Sequence, residues 1–531
     1  MTSLRRSRDL IARLPGRNGI AVFGLCLLAL PASLTAAADE RPVVNVTGGA
    51  IEGRDLPDGH GAVFKGVPFA APPVGALRWR EPMPVEPWKG MRDAGTSGPP
   101  AMQASFGWNS AMAAASREDC LYLDVWTPST GAGKRPVMVW IHGGGNVGGA
   151  GGFDFLYDGT RLISHDVVLV VVEYRLGIFG FLAHPALTRE SSHHASGNYG
   201  LLDQLAALRW VKDNIAEFGG DPGNVTVFGQ SAGSTDILHL LASPLSRGLF
   251  QRAIAESGSL PPAGATPTLA RAEQEGEGAV AKLGAPADDP LAFLRQVPAS
   301  EVLAKADPVA TPNVDDWVLT QSPVTTFADG HESPVPLIIG GCAIEFPLDG
   351  NADNWRKIVR RSFGDLAPDI LSLYQIDGVR TGLPEDPVEG GTAAQIGTDF
   401  FRAGSIIEGE WHASSGHPTW EYQFDRAIPP RPHVGHSSDL PYVFGNLLEK
   451  GSQGGAFTDV DRQVSDLVQA YWTNFARNGD PNGPGLPPWP PFDAGKRRFA
   501  EFGPAGVLTI GDHQRGVFLP IYRRWLVNDV K

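Results

Sequence analysis

Val225-Thr226-Val227-Phe228 runs without a break into Gly229-Gln230-Ser231-Ala232-Gly233. The first four residues have the apolar, β-branched character of a short buried strand. From Ala232 to Leu241 small residues give way to apolar ones at helical spacing. A strand that ends in G-x-S-x-G and opens a helix bends so tightly that the serine stands at the tip of the turn. Gly229 and Gly233 suit it because side chains there would meet neighbouring backbone. The helix N-terminus behind Ser231 presents N–H groups to any negative charge developing at that point. The bare pattern is weak in a chain with 65 glycines, where a plain Gly-Ser turn is the bland alternative. The strand before it and the helix after it set it apart.

Other apolar runs read as buried parallel strands: Pro136–Ile141, Val167–Val172, Pro336–Ile339 and, more weakly, Trp420–Phe424. Leu201 to Phe218 carries apolar residues at 201, 202, 205, 208 and 211, a helical spacing. Strands alternating with helices predict an α/β fold with a large, mostly parallel central sheet. Residues 260–330, richer in Ala, Pro and charge, read as a helical insertion over the sheet. Asn478 to Pro484 reads as a surface loop.

A second motif, His142-Gly143-Gly144-Gly145, also follows a strand directly. Attack on an ester carbonyl passes through a tetrahedral oxyanion, which needs convergent N–H donors. Consecutive glycines let the backbone approach that oxygen without side chains in the way. Gly144, Gly145 and Ala232 are the expected donors. A serine nucleophile also needs a base and an orienting acid, in the chain order Ser, Asp or Glu, His. Glu345 and His436 stand downstream in that order, and His433 is a rival for the base.

Composition sets the frame. The chain has 531 residues, 42% apolar and 19% charged, enough for one large core and too few charges for disorder. Arg5, Arg6, Arg8, Arg13 and Arg17 precede an apolar stretch from Ile20 to Leu34, and Ala36-Ala37-Ala38 offers a cleavage site. Residues 1–38 are therefore expected to be a cleaved signal peptide and residues 39–531 one catalytic domain, periplasmic or secreted. Losing five arginines and one aspartate takes the net charge from −14 to −18. Such acidity argues against nucleic acid or anionic membranes as partners. No other stretch is long and apolar enough to span a bilayer, so no stable membrane insertion is expected after cleavage. After cleavage Cys120 and Cys342 remain, either paired or free. His193-His194 lacks a third ligand at useful spacing, and no nucleotide loop appears, so neither metal nor cofactor is expected. Asn45-Val46-Thr47 and Asn224-Val225-Thr226 are short matches to a glycosylation pattern that chance supplies. Ser234 is either a group supporting the site or an ordinary helix-start serine.

Beyond these local readings, the chain resembles the type-B carboxylesterase (cholinesterase-like) family of α/β-hydrolases over nearly all of its mature length. The resemblance is carried by Glu118 to Leu123, His142 to Gly145, Tyr174 to Gly177, Gly197 to Gln204 and Phe218 to Pro222. The elbow at Ser231, His436 to Gly445 and Tyr471 to Ala476 complete it. It implies Ser231 as nucleophile, Glu345 as acid, His436 as base, and Gly144, Gly145 and Ala232 as oxyanion donors. It also implies a small-molecule ester as substrate, an acyl-enzyme intermediate, and activity that falls in mild acid as His436 protonates. Three departures stand out. Asn146 follows the glycines where the family has an aromatic residue. Phe346 follows the acid where a small residue is usual, and Cys342 stands where Asn is common. These are expected to reshape the pocket. The family's usual partner for Cys120 is missing from residues 98–103, which implies free, buried thiols. An amidase or lactonase on the same triad, and a non-catalytic binding relative, are the alternatives; oligomeric state stays open.

Overall fold

The strand that carries the elbow spans Gly220–Gln230, longer than its apolar run, and lies between two parallel neighbours, Arg135–Ile141 and Arg252–Glu256. The computed structural model describes residues 41–152, 154–376, 391–428, 431, 433–447, 456–493, 495–512, 516 and 518–528. The expected signal peptide, residues 1–38, lies outside them. Arg41–Lys531 form one compact unit.

Eleven strands make the main sheet: β1 (Arg54–Asp55), β2 (Ala62–Pro68), β3 (Tyr122–Thr127), β4 (Arg135–Ile141), β5 (Val168–Val172), β6 (Gly220–Gln230), β7 (Arg252–Glu256), β8 (Leu337–Cys342), β9 (Thr419–Phe424), β10 (Arg498–Phe502) and β11 (Leu508–Asp512). Their spatial order is β11-β10-β9-β8-β7-β6-β4-β5-β3-β2-β1. From β5 to β10 every neighbouring pair is parallel, and antiparallel strands close both edges. A smaller sheet pairs Val43–Val46, Gly49–Glu52 and Met91–Asp93.

The sheet separates two apolar layers, and alternation along each strand feeds both. Val137, Val139 and Ile141 of β4 enter one layer; Met138 and Trp140 enter the other. Helices cover both faces, which is why the central strands are apolar throughout. The predicted helix covers Tyr199–Asn214, then tightens to a 3₁₀ turn over Ile215–Phe218 and stops at Gly219 with φ 74°. The insertion over residues 260–330 is helical as expected, in the short helices Leu269–Val280, Pro290–Leu294, Ala299–Lys305 and Pro323–Ala328. Cys120 and Cys342 are free and buried, in opposite layers, so the sheet itself keeps them from pairing. Among the described residues no helix is long and apolar enough to cross a membrane.

Candidate active site

Ser231 stands between β6 and the helix Ala232–Ala242 with φ 58° and ψ −125°, a conformation that costs a non-glycine residue about 1–3 kcal/mol. Packing imposes it. A Cβ on Gly229 would sit 2.6 Å from the Ile141 carbonyl oxygen, and one on Gly233 only 2.1 Å from the same atom. The Ser231 N–H donates to the Glu256 carbonyl at 2.8 Å, locking the elbow to β7. Ser231 Oγ has no hydrogen-bond partner among the described residues and faces a cavity.

The glycine loop after β4 passes directly over the elbow. A Cβ on Gly143 would lie 2.6 Å from the Gln230 carbonyl oxygen and 2.9 Å from Ser231 Cβ. Gly144 and Gly145, at φ 116° and 66°, line the same cavity as Ser231 and Ala232. Their amides find no protein partner among the described residues, and Ala232 opens its helix, where N–H groups are unpaired by geometry. The three expected donors and the serine are therefore brought to one place.

Asn146 does something its position in the sequence did not suggest. It takes φ 56°, and its side chain turns inward. Asn146 Nδ2 donates to Asp236 Oδ1 at 3.0 Å, and Tyr174 Oη donates to Asn146 Oδ1 at 3.2 Å and to the His142 carbonyl at 2.7 Å. Gln204 Nε2 holds the other Asp236 oxygen at 2.6 Å. Burial pushes the Asp236 carboxyl up to about 7, against the pull of the Asn146 and Gln204 amides. Asp236 belongs to the helix behind Ser231, so Asn146 ties the glycine loop to that helix. Burial also drives His142 down to about 4, keeping its imidazole neutral where it stacks on Tyr174.

Glu345 and His436 meet across the loops that follow β8 and β9. Glu345 is 1% exposed, and its Oε2 lies 2.6 Å from His436 Nδ1. Its Oε1 accepts from the Cys342 N–H at 2.9 Å, and Thr398 Oγ1 accepts from its own N–H at 3.1 Å. Gly341 has to be glycine here, since a Cβ would lie 2.6 Å from Glu345 Oε1. His436 Nε2 faces the Gln230 side-chain nitrogen at 3.2 Å rather than Ser231. Phe346 and Phe401 pack on the His436 ring at 4.2 and 5.3 Å between centroids. Phe346 thus shapes the cavity as its departure from the family pattern implied. His433, the rival base, is exposed and does not line the cavity. Gln230 and Phe401 escaped the sequence reading. The only available signal for Gln230 was its place inside the elbow, and Phe401 lies in a helix, Gly391–Ser414, that the apolar pattern did not reveal.

A cavity of about 1650 Å³ opens above Ser231. It is walled by the glycine loop, His436 and aromatic residues including Trp108, Phe346, Phe400 and Trp525. Elsewhere, Ser234 is buried beside the elbow with no partner for its hydroxyl among the described residues. His193 stacks on Trp317 at 3.8 Å between centroids. Glu332, His412 and His417 have ligand atoms within 4.8 Å of one another, but His412 Nδ1 is 2.7 Å from Glu332 and its Nε2 is 2.9 Å from the Val335 carbonyl, so both ring nitrogens are engaged.

Comparison with known proteins agrees with this architecture. A profile of the carboxylesterase family matches residues 40–364 and 385–514. The chain is 37% identical over 507 residues to fumonisin B1 esterase of Sphingopyxis macrogoltabida, covering 90% of this chain and 89% of that one. It is 34% identical to the medium-chain fatty acyl-CoA hydrolase precursor of Anas platyrhynchos, covering 82% and 83%. Among solved structures, a thermophilic PNB esterase superposes with a TM-score of 0.78 at 33% identity, over 91% of this chain and 99% of that one. The Geobacillus stearothermophilus carboxylesterase EST55 does so with a TM-score of 0.76 at 31% identity, over 91% and 100%. The chain belongs to the type-B carboxylesterase family, has its α/β-hydrolase fold, and is a carboxylic ester hydrolase.

Proposed function

We propose that this protein is an exported serine carboxylesterase that works through Ser231, His436 and Glu345 and an acyl-enzyme. The observation that carries the reading is the 2.6 Å contact between Glu345 and His436 Nδ1 beside a strained Ser231 whose hydroxyl has no partner among the described residues. Substrate entry turns His436 Nε2 from Gln230 to Ser231 Oγ, since catalytic hydrogen bonds often form fully only once substrate is bound. His436 takes the Ser231 proton as Oγ attacks the ester carbonyl. The oxyanion is held by the N–H groups of Gly144, Gly145 and Ala232. The protonated ring, stabilised by Glu345, then gives its proton to the leaving alcohol. Water, deprotonated by His436, attacks the acyl-Ser231 ester and releases the acid. The cavity exceeds the usual 300–1,000 Å³ range of small-molecule sites, which favours esters of some bulk.

A fluorophosphonate probe tests the chemistry. It should label Ser231 stoichiometrically, with labelling and ester turnover both lost in Ser231→Ala; turnover that survives the substitution overturns the reading. Export is tested separately, by fractionating expressing cells and sequencing the N-terminus of the exported protein. The expected start is Asp39, and retention of a full-length chain in the cytoplasm counts against it.

A further inference from the structure

We infer that the esters this cavity takes carry a carboxylate remote from the scissile bond, read by Arg361 and Arg431; the inference rests on the esterase reading above. The chain is acidic, with 58 Asp and Glu against 44 Lys and Arg. Its cavity is the reverse. The described lining residues include Arg271, Arg361 and Arg431 and no Asp or Glu. Arg271 is balanced by Glu275, with Nε 2.8 Å from its carboxylate. Arg361 and Arg431 have no carboxylate partner among the described residues. The other titratable lining groups do not offset them. Burial drives His239 down to about 4 and so keeps it neutral, and His436 sits against Glu345.

Both cations line the cavity that holds Ser231 and His436, Arg361 exposed and Arg431 half-buried. Arg431 lies five residues before His436, its N–H fixed on the Ile428 carbonyl at 2.9 Å. Arg361 lies in the last turn of the helix Ala352–Phe363, whose Phe363 packs on Phe400 at 5.2 Å, one residue from the Phe401 that touches His436. Arg361 therefore stands at the far end of an aromatic wall that begins at the base. A basic residue in a last helical turn is ordinary. A wide cavity with apolar walls and, among the described residues, two uncompensated guanidinium groups and no carboxylate is not, because such walls focus the positive field on whatever enters.

The test compares p-nitrophenyl hemiglutarate and hemiadipate with their neutral terminal amides, and acetate esters of hydroxy acids with those of the matching hydroxy amides. The expected result is kcat/KM about tenfold higher for an anionic member of at least one pair, shrinking as salt is added. In the Arg361→Gln, Arg431→Gln double variant that ratio should fall toward one. Each ratio is taken within one protein, so a change in the folded fraction cancels. Equal or faster turnover of the neutral member in every pair overturns the inference, as does a ratio that the double variant leaves intact. Hydrolysis of neutral esters in that case leaves the esterase reading standing. Absence of all turnover, together with absence of fluorophosphonate labelling, overturns both.

Discussion

At the scale of a residue, Glu345 gives His436 both a direction and a charge, and the two are separable. Its buried carboxylate fixes the ring through Nδ1 at 2.6 Å while Oε1 accepts the Cys342 N–H. Glu345→Gln keeps the shape and an acceptor for that N–H, but removes the charge that would stabilise the imidazolium in the proposed mechanism. We expect kcat to fall on the order of 10⁴-fold while circular dichroism shows a folded protein. Activity within tenfold of the parent would mean that another group orients the ring. Ser231 stood out in the sequence through the strand and helix that flank it; chain order alone left Glu345 weak and His433 a rival to His436, and the family resemblance made that choice. The contact of His436 Nε2 with Gln230 was not legible, since it depends on a rotamer that spacing does not encode. Asn146 was legible as a departure but not in its consequence: a sequence cannot say that the amide turns inward to a carboxylate 90 residues away.

At the scale of an element, the glycine loop gains flexibility from its glycines and needs a clamp, and Asn146 supplies it through Asp236 on the helix Ala232–Ala242. Asn146→Ala leaves Asp236, among the described residues, with Gln204 as its one side-chain donor and frees the loop from the helix. Losing one partner of a buried hydrogen-bonded group costs about 1–3 kcal/mol, so the melting temperature should drop. If the glycine loop holds the oxyanion as proposed, its displacement should also lower kcat by about 10²-fold, the scale of losing one donor. Unchanged kcat with lowered stability would assign Asn146 to folding alone. The same contrast explains which elements could be read beforehand. β4, β5 and β6 are buried on both faces and carry continuous apolar runs, so periodicity finds them. β7 offers only Ala253-Ile254-Ala255 between Arg252 and Glu256, and becomes a strand because β6 and β8 flank it in register. The short strands before residue 94 and the helix Gly391–Ser414, interspersed with Gly, Ser and Thr, likewise depend on tertiary partners.

At the scale of the molecule, one large core has enclosed several ionisable groups, and their balance sets how stability varies with pH. Burial raises Asp236 to about 7, Glu173 to about 8 and Glu408 to about 8. Each binds its proton more tightly folded than unfolded. Each therefore contributes stability that is complete below its unfolded value and is lost as pH rises through the folded one. Buried His142 and His239, both lowered to about 4, act oppositely: the unfolded chain protonates first, so they remove stability as pH falls below the ordinary histidine range. The histidine effect ends near pH 6.5, the ordinary histidine value, whereas the carboxyl effect continues to about pH 8. Above about pH 6.5 only the carboxyls act, so stability should decline from there to about pH 8, by up to about 1.4 kcal/mol per pH unit for each group. Glu408 isolates the effect. Its Oε1 accepts the Leu260 N–H at 2.7 Å, which a glutamine carbonyl does equally well, and its Oε2 is buried with no partner among the described residues. Glu408→Gln should therefore flatten the alkaline slope and raise the melting temperature at pH 8 relative to the parent. Scanning calorimetry of both proteins from pH 6 to 8.5 checks this. A parent whose melting temperature holds level or rises over that range would show that these carboxyls are already ionised in the fold. The whole-molecule account of its pH dependence would then fail.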